Sequence, residues 1–172
     1  MERILVVGST GAGKSTLARA LGARLGLPYH EMDALYFDGP GWAVNGELAA
    51  DVARITAGPC WITDSLGCPE VRDLLWGRAD TVIWLDYSRR VIMPRVLRRS
   101  VRRTVTGEVL FGGNKESWAG WLSREHPVWW SWSQYRTRRR EIALRLRDPR
   151  FASLRTHRFG RPQETAAWLA SV

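Results

Sequence analysis

Short apolar runs alternate along the chain with amphipathic helical patterns. The first run, Arg3–Val7, ends in a glycine-rich segment, and Thr81–Leu85 is the clearest strand because it is apolar and rich in β-branched and aromatic residues. Between these runs, Leu17, Leu21 and Leu25 recur at the spacing of one helix face. Strands that alternate with helices predict an α/β fold with a parallel sheet.

The remaining pattern completes this order. Further strands are predicted at Tyr29–Met32, Cys60–Thr63 and Leu154–Phe159. Further helices are predicted at Glu47–Ala57, at about 88–104, at about 130–147, and from Pro162 onward. The stretch from about 106 to 127 is rich in glycine and polar residues and has no clean period. No repeat or linker marks a boundary, so we expect one domain over residues 1–172.

Composition narrows the class of protein. The chain has 172 residues, 45% of them hydrophobic, which is enough for a packed core. No apolar run has the length of a membrane helix, and the N-terminus lacks the pattern of a secretory signal, so we expect a cytoplasmic protein. The net charge is +9, and Lys14 and Lys115 are the only lysines among 26 basic residues. Arginine binds phosphate through two parallel hydrogen bonds, so an anionic partner is expected.

The glycine-rich segment carries the most specific chemistry. Residues 8–16 match the phosphate-binding pattern G-x-x-x-x-G-K-[ST] in full, between an apolar strand and an amphipathic helix. In this pattern backbone N–H groups surround the phosphates, the lysine reaches the β- and γ-phosphates, and the following hydroxyl ligates Mg²⁺. The sequence therefore predicts a site for ATP and Mg²⁺ at Gly8, Gly11, Ala12, Gly13, Lys14, Ser15 and Thr16.

Several segments, taken in order, resemble the bacterial adenylate-kinase-like P-loop proteins called topology modulation proteins. They are the P-loop, Leu-Pro-Tyr-His-Glu-Met-Asp at 27–33, Trp-Ile-Thr-Asp at 61–64, Arg-Ala-Asp-Thr-Val-Ile-Trp-Leu-Asp at 78–86, Arg-Val-Leu-Arg-Arg at 95–99, Gly-Asn-Lys-Glu at 113–116 and Arg-Pro-Gln-Glu at 161–164. The resemblance implies a P-loop NTPase three-layer sandwich with a five-stranded parallel sheet in the order 2-3-1-4-5 and a mobile helical lid at about 106–127. One departure stands out. The family commonly continues as Asp-Gly-Asn-Tyr where this chain has Asp64-Ser65-Leu66-Gly67-Cys68, which leaves the acceptor open.

Aspartates follow three of the predicted strands. Small kinases for hydroxyl acceptors, such as shikimate kinase, resemble this chain in placing an aspartate at Asp33, which would orient or deprotonate the acceptor. The implied strand order places Asp64 beside the P-loop strand, as the carboxylate that holds Mg²⁺ through water. Either residue could instead cap the segment that follows it. Asp86 competes with Asp64 for the metal, although a capping or loop role is favoured for it.

The arginines complete the implied site. Arg95, Arg98, Arg99, Arg102 and Arg103 share one face of the predicted helix. In adenylate-kinase-like enzymes such arginines clamp the transferring phosphates, and we carry this role over to Arg99 and Arg103. A solvated basic face is the alternative. Farther along, Arg136 is expected nearest the nucleotide, and Arg158 lies in the segment where this fold class holds adenine.

Together these features predict an ATP-dependent kinase for a small-molecule acceptor, either a hydroxyl compound or a nucleotide-like molecule. A nucleoside monophosphate is disfavoured because the acceptor region contains only Arg54, whereas Tyr36, Phe37 and Trp42 form an aromatic pocket there. The alternative is a nucleotide-regulated DNA- or RNA-binding protein, since tryptophans alternate with arginines in the segment 129–140. Those tryptophans could equally belong to the core. The oligomeric state stays open.

Overall fold

A parallel sheet of five strands organises the computed structural model, which describes residues 1–124 and 126–172. The strands are β1 (Arg3–Gly8), β2 (Tyr29–His30), β3 (Phe37–Gly39), β4 (Ala43–Val44), β5 (Trp61–Thr63), β6 (Thr81–Leu85) and β7 (Arg155–Phe159). The parallel sheet has the order β2-β5-β1-β6-β7, and β3 and β4 form a separate antiparallel hairpin. The P-loop strand β1 is therefore central, with β5 and β6 as its neighbours.

The antiparallel hairpin β3–β4 is an addition to the expected topology. Counted in chain order, the strands of the parallel sheet alone read 2-3-1-4-5, and β3–β4 adds a pair of strands that the sequence analysis did not predict. These strands span only Phe37–Gly39 and Ala43–Val44, which is too short for an alternating pattern to stand out. The hairpin lies between the second and third strands of the sheet, in the expected acceptor region.

Helices cover both faces of the sheet. They are α1 (Lys14–Leu25), α2 (Met32–Tyr36), α3 (Leu48–Thr56), α4 (Pro69–Arg78), α5 (Arg89–Thr106), α6 (Pro127–Arg145) and α7 (Pro162–Ser171). The predicted helices agree with α1, α3, α5, α6 and α7 to within a few residues. In the part of the chain that the structure describes, no helix is long and apolar enough to cross a bilayer.

Alternation along the strands divides the core between the two faces. Leu5 and Val7 of β1 pack into one cluster, with side chains from α3, α4 and α6. Ile4 and Val6 pack into the other, with side chains from α1, α5 and α7. All four side chains are fully buried, because a central parallel strand is covered on both faces. The fold is therefore the expected three-layer α/β sandwich.

The segment between α5 and α6 is irregular. It contains short 3₁₀ turns at Phe111–Gly113 and Ala119–Leu122, and Val109 forms an isolated antiparallel bridge with Lys115. The lid expected at about 106–127 therefore lacks a regular helix between α5 and α6 over the described residues, and residue 125 lies outside them. Its mobility stays a prediction.

The tryptophans of α6 lie at the surface. Trp129 and Trp132 are each 54% exposed and Trp130 is 41% exposed, so the expectation that they belong to the core is wrong. Helix α6 buries its small Ser131 and its Ile142 instead, and Ser131 packs close to the phosphate loop. Trp129 and Trp132 are the more exposed of the three, whereas Trp130 lines the large cleft together with Ser131.

Candidate active site

The phosphate loop lies at the carboxyl end of β1, where open α/β sheets bind their ligands. Gly8, Gly11 and Gly13 have φ values of 152°, 83° and 93°. A Cβ on Gly11 would lie 2.2 Å from Cγ2 of Val96, and one on Gly8 would lie 2.8 Å from the carbonyl oxygen of Leu85. The glycines are therefore required both for the left-handed backbone and for the close packing of the loop against β6 and α5.

Lys14 opens α1 and points back into the loop. Its ammonium group donates to the carbonyl oxygen of Ser9 at 3.4 Å. Burial lowers the pKa of Lys14, and two nearby arginines lower it further, whereas Asp33 and Asp64 raise it. A desolvated cation beside two carboxylates, at the N-terminus of a helix, is suited to binding an anion that brings more negative charge.

Asp64 follows β5 and is held by three donors. The Ser15 hydroxyl and the Tyr29 hydroxyl donate to its Oδ2, the latter at 3.0 Å, and the backbone N–H of Met32 donates to Oδ1 at 3.0 Å. Asp64 is only 5% exposed. Asp64 does not cap α4, whose N-cap residue is Cys68. The carboxylate instead lies against the P-loop hydroxyl, as the sequence predicts.

Ser15 and Asp64 fit a magnesium site of the kind that uses few protein ligands. Mg²⁺ prefers oxygen ligands and is usually held by one or two protein groups, several waters and the substrate phosphates. Over residues 1–124 and 126–172, no group of three or more histidine, cysteine, aspartate or glutamate side chains could hold a metal alone. The contact between a P-loop hydroxyl and a strand-end carboxylate is the donor set that such a shared site requires.

Asp33 lines the same cleft as this pair. It is the second residue of α2, and Glu31 is the N-cap residue, so the capping alternative for Asp33 is wrong. Burial within the cleft walls raises the pKa of Asp33, while Lys14 lowers it and Asp64 raises it. Its side chain nevertheless remains accessible to solvent from the cleft. A carboxylate with a raised pKa beside the phosphate-binding lysine has the properties of a proton acceptor.

Asp86 is held by ion pairs with two arginines. Arg139 donates to its two carboxylate oxygens at 2.7 and 3.1 Å, and Arg158 donates to Oδ2 at 3.0 and 2.5 Å. The guanidinium of Arg158 also stacks over the ring of Trp84, at 4.5 Å. Asp86 therefore connects α6 and β7 to the end of β6, and neither it nor Arg158 lines the cleft. Asp64, and not Asp86, therefore contacts the P-loop hydroxyl, and Arg158, predicted in the adenine-binding segment, is held in an ion pair.

Arginines of α5 form one wall of the cleft. Arg95, Arg99, Arg102 and Arg103 line it, whereas Arg98, the fifth member of the predicted face, does not. Arg95 donates to the P-loop carbonyl of Ala12 at 3.4 Å. Burial lowers the pKa of Arg99, and its Nε has no hydrogen-bond partner among the described residues. A half-buried guanidinium whose Nε lacks a partner, in a cleft that the P-loop also lines, is suited to an anionic ligand.

Helix α6 contributes Arg138 to the cleft. Ser131 donates to the P-loop carbonyl of Thr10 at 3.2 Å, which fixes α6 against the loop. Arg138 lines the cleft on the same side of the helix, two turns farther on, and burial lowers its pKa. Arg136 is exposed and does not line the cleft. Of the two, Arg138 is therefore the arginine of α6 that lines the cleft, on the face fixed by the Ser131 contact, whereas the predicted Arg136 lies outside it.

The acceptor end of the cleft is aromatic. The rings of Tyr36 and Phe37 are 4.8 Å apart and those of Phe37 and Trp42 are 5.2 Å apart, both edge to face. Trp42 is the only residue other than glycine with a positive φ in the described chain, at 62°. Arg54 pairs with Asp51 outside the cleft. The expected aromatic pocket is therefore present.

Residues 65–68, where the sequence differs from the Asp-Gly-Asn-Tyr pattern, line the cleft beside Asp64. Gly67 has a φ of 87°, and its N–H donates to the Ser65 hydroxyl at 3.0 Å. The Trp76 indole donates to the carbonyl of Leu66 at 3.2 Å, and Arg72 donates to that of Gly67 at 3.0 Å. These bonds fix a tight turn whose residues line the cleft.

Comparison with solved structures shows the fold that this site is built on. The chain aligns over 99% of its length with 89% of the shikimate kinase from Acinetobacter baumannii in complex with shikimate, at a TM-score of 0.57 and 18% identity. It aligns over 98% of its length with 94% of the shikimate kinase from Aquifex aeolicus vf5, at a TM-score of 0.55 and 14% identity. A gluconokinase from Sinorhizobium meliloti 1021 matches at a TM-score of 0.50 and 21% identity, over 99% of this chain and 92% of that one. The chain thus shares its fold with these three kinases.

Other comparisons find nothing. No protein-family model matches the chain, and no curated protein matches it.

Proposed function

We propose that this protein is an ATP-dependent kinase that transfers the γ-phosphoryl group to a hydroxyl of a small molecule. One observation carries the proposal. Lys14 and Asp33 line the same cleft, in which the Ser15 hydroxyl, next to Lys14, donates to Asp64. A phosphate-binding lysine, a carboxylate that contacts the P-loop hydroxyl and a second carboxylate with a raised pKa in one cleft are suited to phosphoryl transfer to a hydroxyl. The fold shared with shikimate kinase and gluconokinase supports it.

The residues divide the work of the transfer. Bound as a complex, ATP and Mg²⁺ supply the phosphoryl group and neutralise part of its charge. Lys14 and the P-loop N–H groups hold the phosphates, and Ser15 and Asp64 hold the metal side. Asp33 accepts the proton of the acceptor hydroxyl, whose oxygen forms a bond to the γ-phosphorus as the bond to the β-phosphate oxygen breaks and ADP leaves. Arg99 and Arg103 stabilise the charge that develops on the transferred group.

The nature of the pocket favours an uncharged acceptor with a ring. Tyr36, Phe37 and Trp42 present aromatic surface on the hairpin side. Arg54 does not line the cleft and pairs with Asp51. A cyclic polyol could lay its C–H face on the indole of Trp42 and direct a hydroxyl to Asp33. The motifs shared with topology modulation proteins are consistent with membership of that family, and we propose one such domain over residues 1–172.

A substrate screen tests the proposal. The purified protein is incubated with ATP, Mg²⁺ and either a metabolite extract or a panel of cyclic and linear polyols, and products are identified by mass spectrometry. We expect a new phosphate ester that is absent with Lys14→Ala and strongly reduced with Asp33→Asn. Lys115→Ala serves as a matched control, because Lys115 is the other lysine of the chain and is exposed. Nucleotide binding without a product across the whole panel would falsify the kinase assignment.

Exposed aromatic residues support a second candidate, a nucleotide-regulated nucleic-acid-binding protein. Trp129 and Trp132 are both 54% exposed, and the Arg89 guanidinium stacks on the Trp132 ring at 4.6 Å. Bases can stack on such a surface. Arg139 is held by Asp86, however, which weakens its interaction with a phosphate backbone. Binding of single-stranded DNA and RNA at about 50 mM salt, followed by a loss of about 10³–10⁵ in affinity by 200 mM, would support this candidate. No binding at the lower salt concentration would eliminate it.

A further inference from the structure

One motif singled out in the sequence, Gly113-Asn114-Lys115-Glu116, contributes two buried polar side chains to the segment after α5. We call residues 107–116 the lid loop and residues 37–44 the acceptor hairpin. Asn114 is 7% exposed and Glu116 is 8% exposed, whereas Lys115 between them is exposed. Alternation of this kind directs Asn114 and Glu116 to one side of the loop.

Asn114 binds the acceptor hairpin through the hairpin's backbone. Its amide donates to the carbonyl of Gly39 at 2.9 Å, and its Oδ1 accepts from the N–H of Trp42 at 3.0 Å. A further bond to the carbonyl of Phe111, at 2.7 Å, holds the amide within its own loop. Trp42 is the residue with the positive φ, so Asn114 satisfies the backbone at the point where it is strained.

A close backbone contact reinforces this link. Gly112 has a φ of 62°, and a Cβ there would lie 2.4 Å from the carbonyl oxygen of Gly39. Only glycine fits this approach, because the opposing atoms belong to the main chain and cannot move aside as a flexible side chain could. The lid loop and the acceptor hairpin are therefore joined by main-chain packing as well as by Asn114.

Glu116 connects the same loop to the arginine wall. Arg103 donates to its Oε1 at 3.3 Å, and His126 lies 3.7 Å from its Oε2. The side chain of Glu116 is 4% exposed, and Oε2 has no hydrogen-bond partner within the described residues. Arg103 donates only this hydrogen bond among the described residues, and its Nε has no hydrogen-bond partner, so its remaining donors can bind a phosphate while Glu116 stays attached. A phosphate group bound near Arg99 and Arg103 would thereby fix the lid loop two residues from Asn114.

We propose that Asn114 is a positioning residue, which fixes the Trp42 wall of the acceptor pocket to the lid loop so that nucleotide binding orders the acceptor hairpin. The signal passes from the phosphates to Arg103, from Arg103 to Glu116, and from the loop through Asn114 to Trp42. Occupation of the nucleotide site and of the acceptor site is then cooperative. This inference rests on the nucleotide-binding part of the proposed function and does not need the acceptor to be known.

Hydrogen–deuterium exchange with and without Mg²⁺ and a non-hydrolysable ATP analogue tests the coupling. In the wild-type chain we expect the analogue to slow exchange both in residues 8–16 and in residues 37–44. In Asn114→Ala the protection of 8–16 persists. The hairpin, having lost two hydrogen bonds, exchanges about 5- to 30-fold faster than in the wild type and no longer responds to the analogue.

Asn45→Ala is the matched control. Asn45 also donates from its side chain, to the carbonyl of Leu35 at 3.0 Å and to Asp51 at 2.9 Å, but it binds no residue of the lid loop. In this variant the hairpin should still gain protection when the analogue binds. A response of residues 37–44 that is equal in Asn114→Ala and the wild type, or is missing in the wild type, or is lost to the same extent in Asn45→Ala, overturns the proposal.

Gly112→Ala gives an independent variant in case Asn114→Ala does not fold. The added Cβ forces the lid loop away from Gly39, so the hairpin should lose its response while residues 8–16 keep theirs. If both variants unfold globally, the lid loop is a structural element and the proposal fails. A chain that binds the analogue but transfers phosphate to nothing would overturn the kinase assignment and leave this experiment valid.

Discussion

Replacement of Lys14 by methionine tests two effects of the P-loop cation separately. The first is its contribution to nucleotide affinity, and the second is its effect on the stability of the free protein. The ammonium group has one weak hydrogen bond in the free protein, to the carbonyl of Ser9 at 3.4 Å, and it is aimed into the site. A hydrogen bond to a charged group contributes about 1.5–3 kcal/mol. At about 1.4 kcal/mol for each tenfold change in affinity, Lys14→Met should weaken nucleotide binding about 10- to 150-fold.

Stability should change in the opposite direction. Burial lowers the pKa of Lys14, and Arg99 and Arg138 lower it further, so the effects of Asp33 and Asp64 are outweighed. A folded-state pKa below the unfolded value means that the charged form favours the unfolded chain. This destabilisation is fully present at pH values below the folded-state pKa, and it fades as the pH rises towards the ordinary value of 10.5. Lys14→Met should therefore have a higher Tm than the wild type at pH 7, by a margin that shrinks at alkaline pH.

Two measurements on the same samples decide the matter. Calorimetric titration with a non-hydrolysable ATP analogue and Mg²⁺ gives the Kd, and thermal unfolding of the free protein at several pH values gives the Tm. Lys115→Met is the control, since Lys115 lines the same cleft from an exposed position. Substitutions at such sites usually change stability by less than about 0.5 kcal/mol. A Lys14→Met protein that binds the analogue as the wild type does, or that has a lower Tm at pH 7, would refute the reasoning.

Three further substitutions probe the rest of the site. Asp33→Asn should lower turnover of the identified acceptor by about 10²–10⁴. Because burial raises the pKa of Asp33, wild-type activity should rise with pH as this carboxyl group ionises. Ionisation destabilises the folded wild type, so the Tm of Asp33→Asn should exceed the wild-type Tm by a margin that grows over the same pH range. Gly11→Ala would place a Cβ 2.2 Å from Val96, so Tm and nucleotide affinity should both fall in thermal and calorimetric assays, whereas Gly77→Ala, with open space around it, should raise Tm. Asp64→Asn should raise the Mg²⁺ concentration for half-maximal activity more than it raises the KM for ATP, and an equal rise in both would count against a metal role.

Much of the fold could be predicted because its determinants are local. A parallel strand covered on both faces is a continuous apolar run, and the predicted bounds of Thr81–Leu85 agree with those of β6. Helix ends carry equally local signals. Gly26 ends α1 with a φ of 68°, and Pro162 occupies the first turn of α7. The P-loop combines both kinds of signal, since the end of β1, the glycines with positive φ and the start of α1 follow one another in a contiguous segment.

The parts that were not predicted depend on partners far apart in sequence. Asp86 and Arg158 are separated by 72 residues, and nothing near either position indicates that they form an ion pair. The choice of Arg138 over Arg136 depends on how α6 is rotated, which its contact with the P-loop sets. Tyr29 lies on β2, next to β5, and its hydroxyl donates to Asp64, a contact that the sequence did not predict. Its pKa is raised chiefly by burial and by that carboxylate.

The exposed tryptophans of α6 show the limit of residue type as a guide. A large aromatic side chain is buried on average, and this average favours a core position for Trp129, Trp130 and Trp132. The helix instead packs against β1 and the P-loop through the small side of its first turns, where Ser131 approaches the loop carbonyl. A small residue at a close contact therefore determined which side of α6 is buried, and periodicity of the large residues could not reveal it.

Part of the net charge of +9 lies in the cleft. Among the described residues, the cleft lining carries eight basic and five acidic side chains, an excess of three positive charges. A complex of ATP with Mg²⁺ carries about two negative charges, so the cleft can match it without help from the outer surface. Partly buried charges are screened less than exposed ones. Raising the salt concentration from about 50 to 200 mM should therefore weaken binding of the ATP analogue by well under the roughly 10³-fold expected for a protein that contacts many nucleic-acid phosphates. A loss of that size in the calorimetric titration would mean that the exposed arginines, and not the cleft, bind the anion.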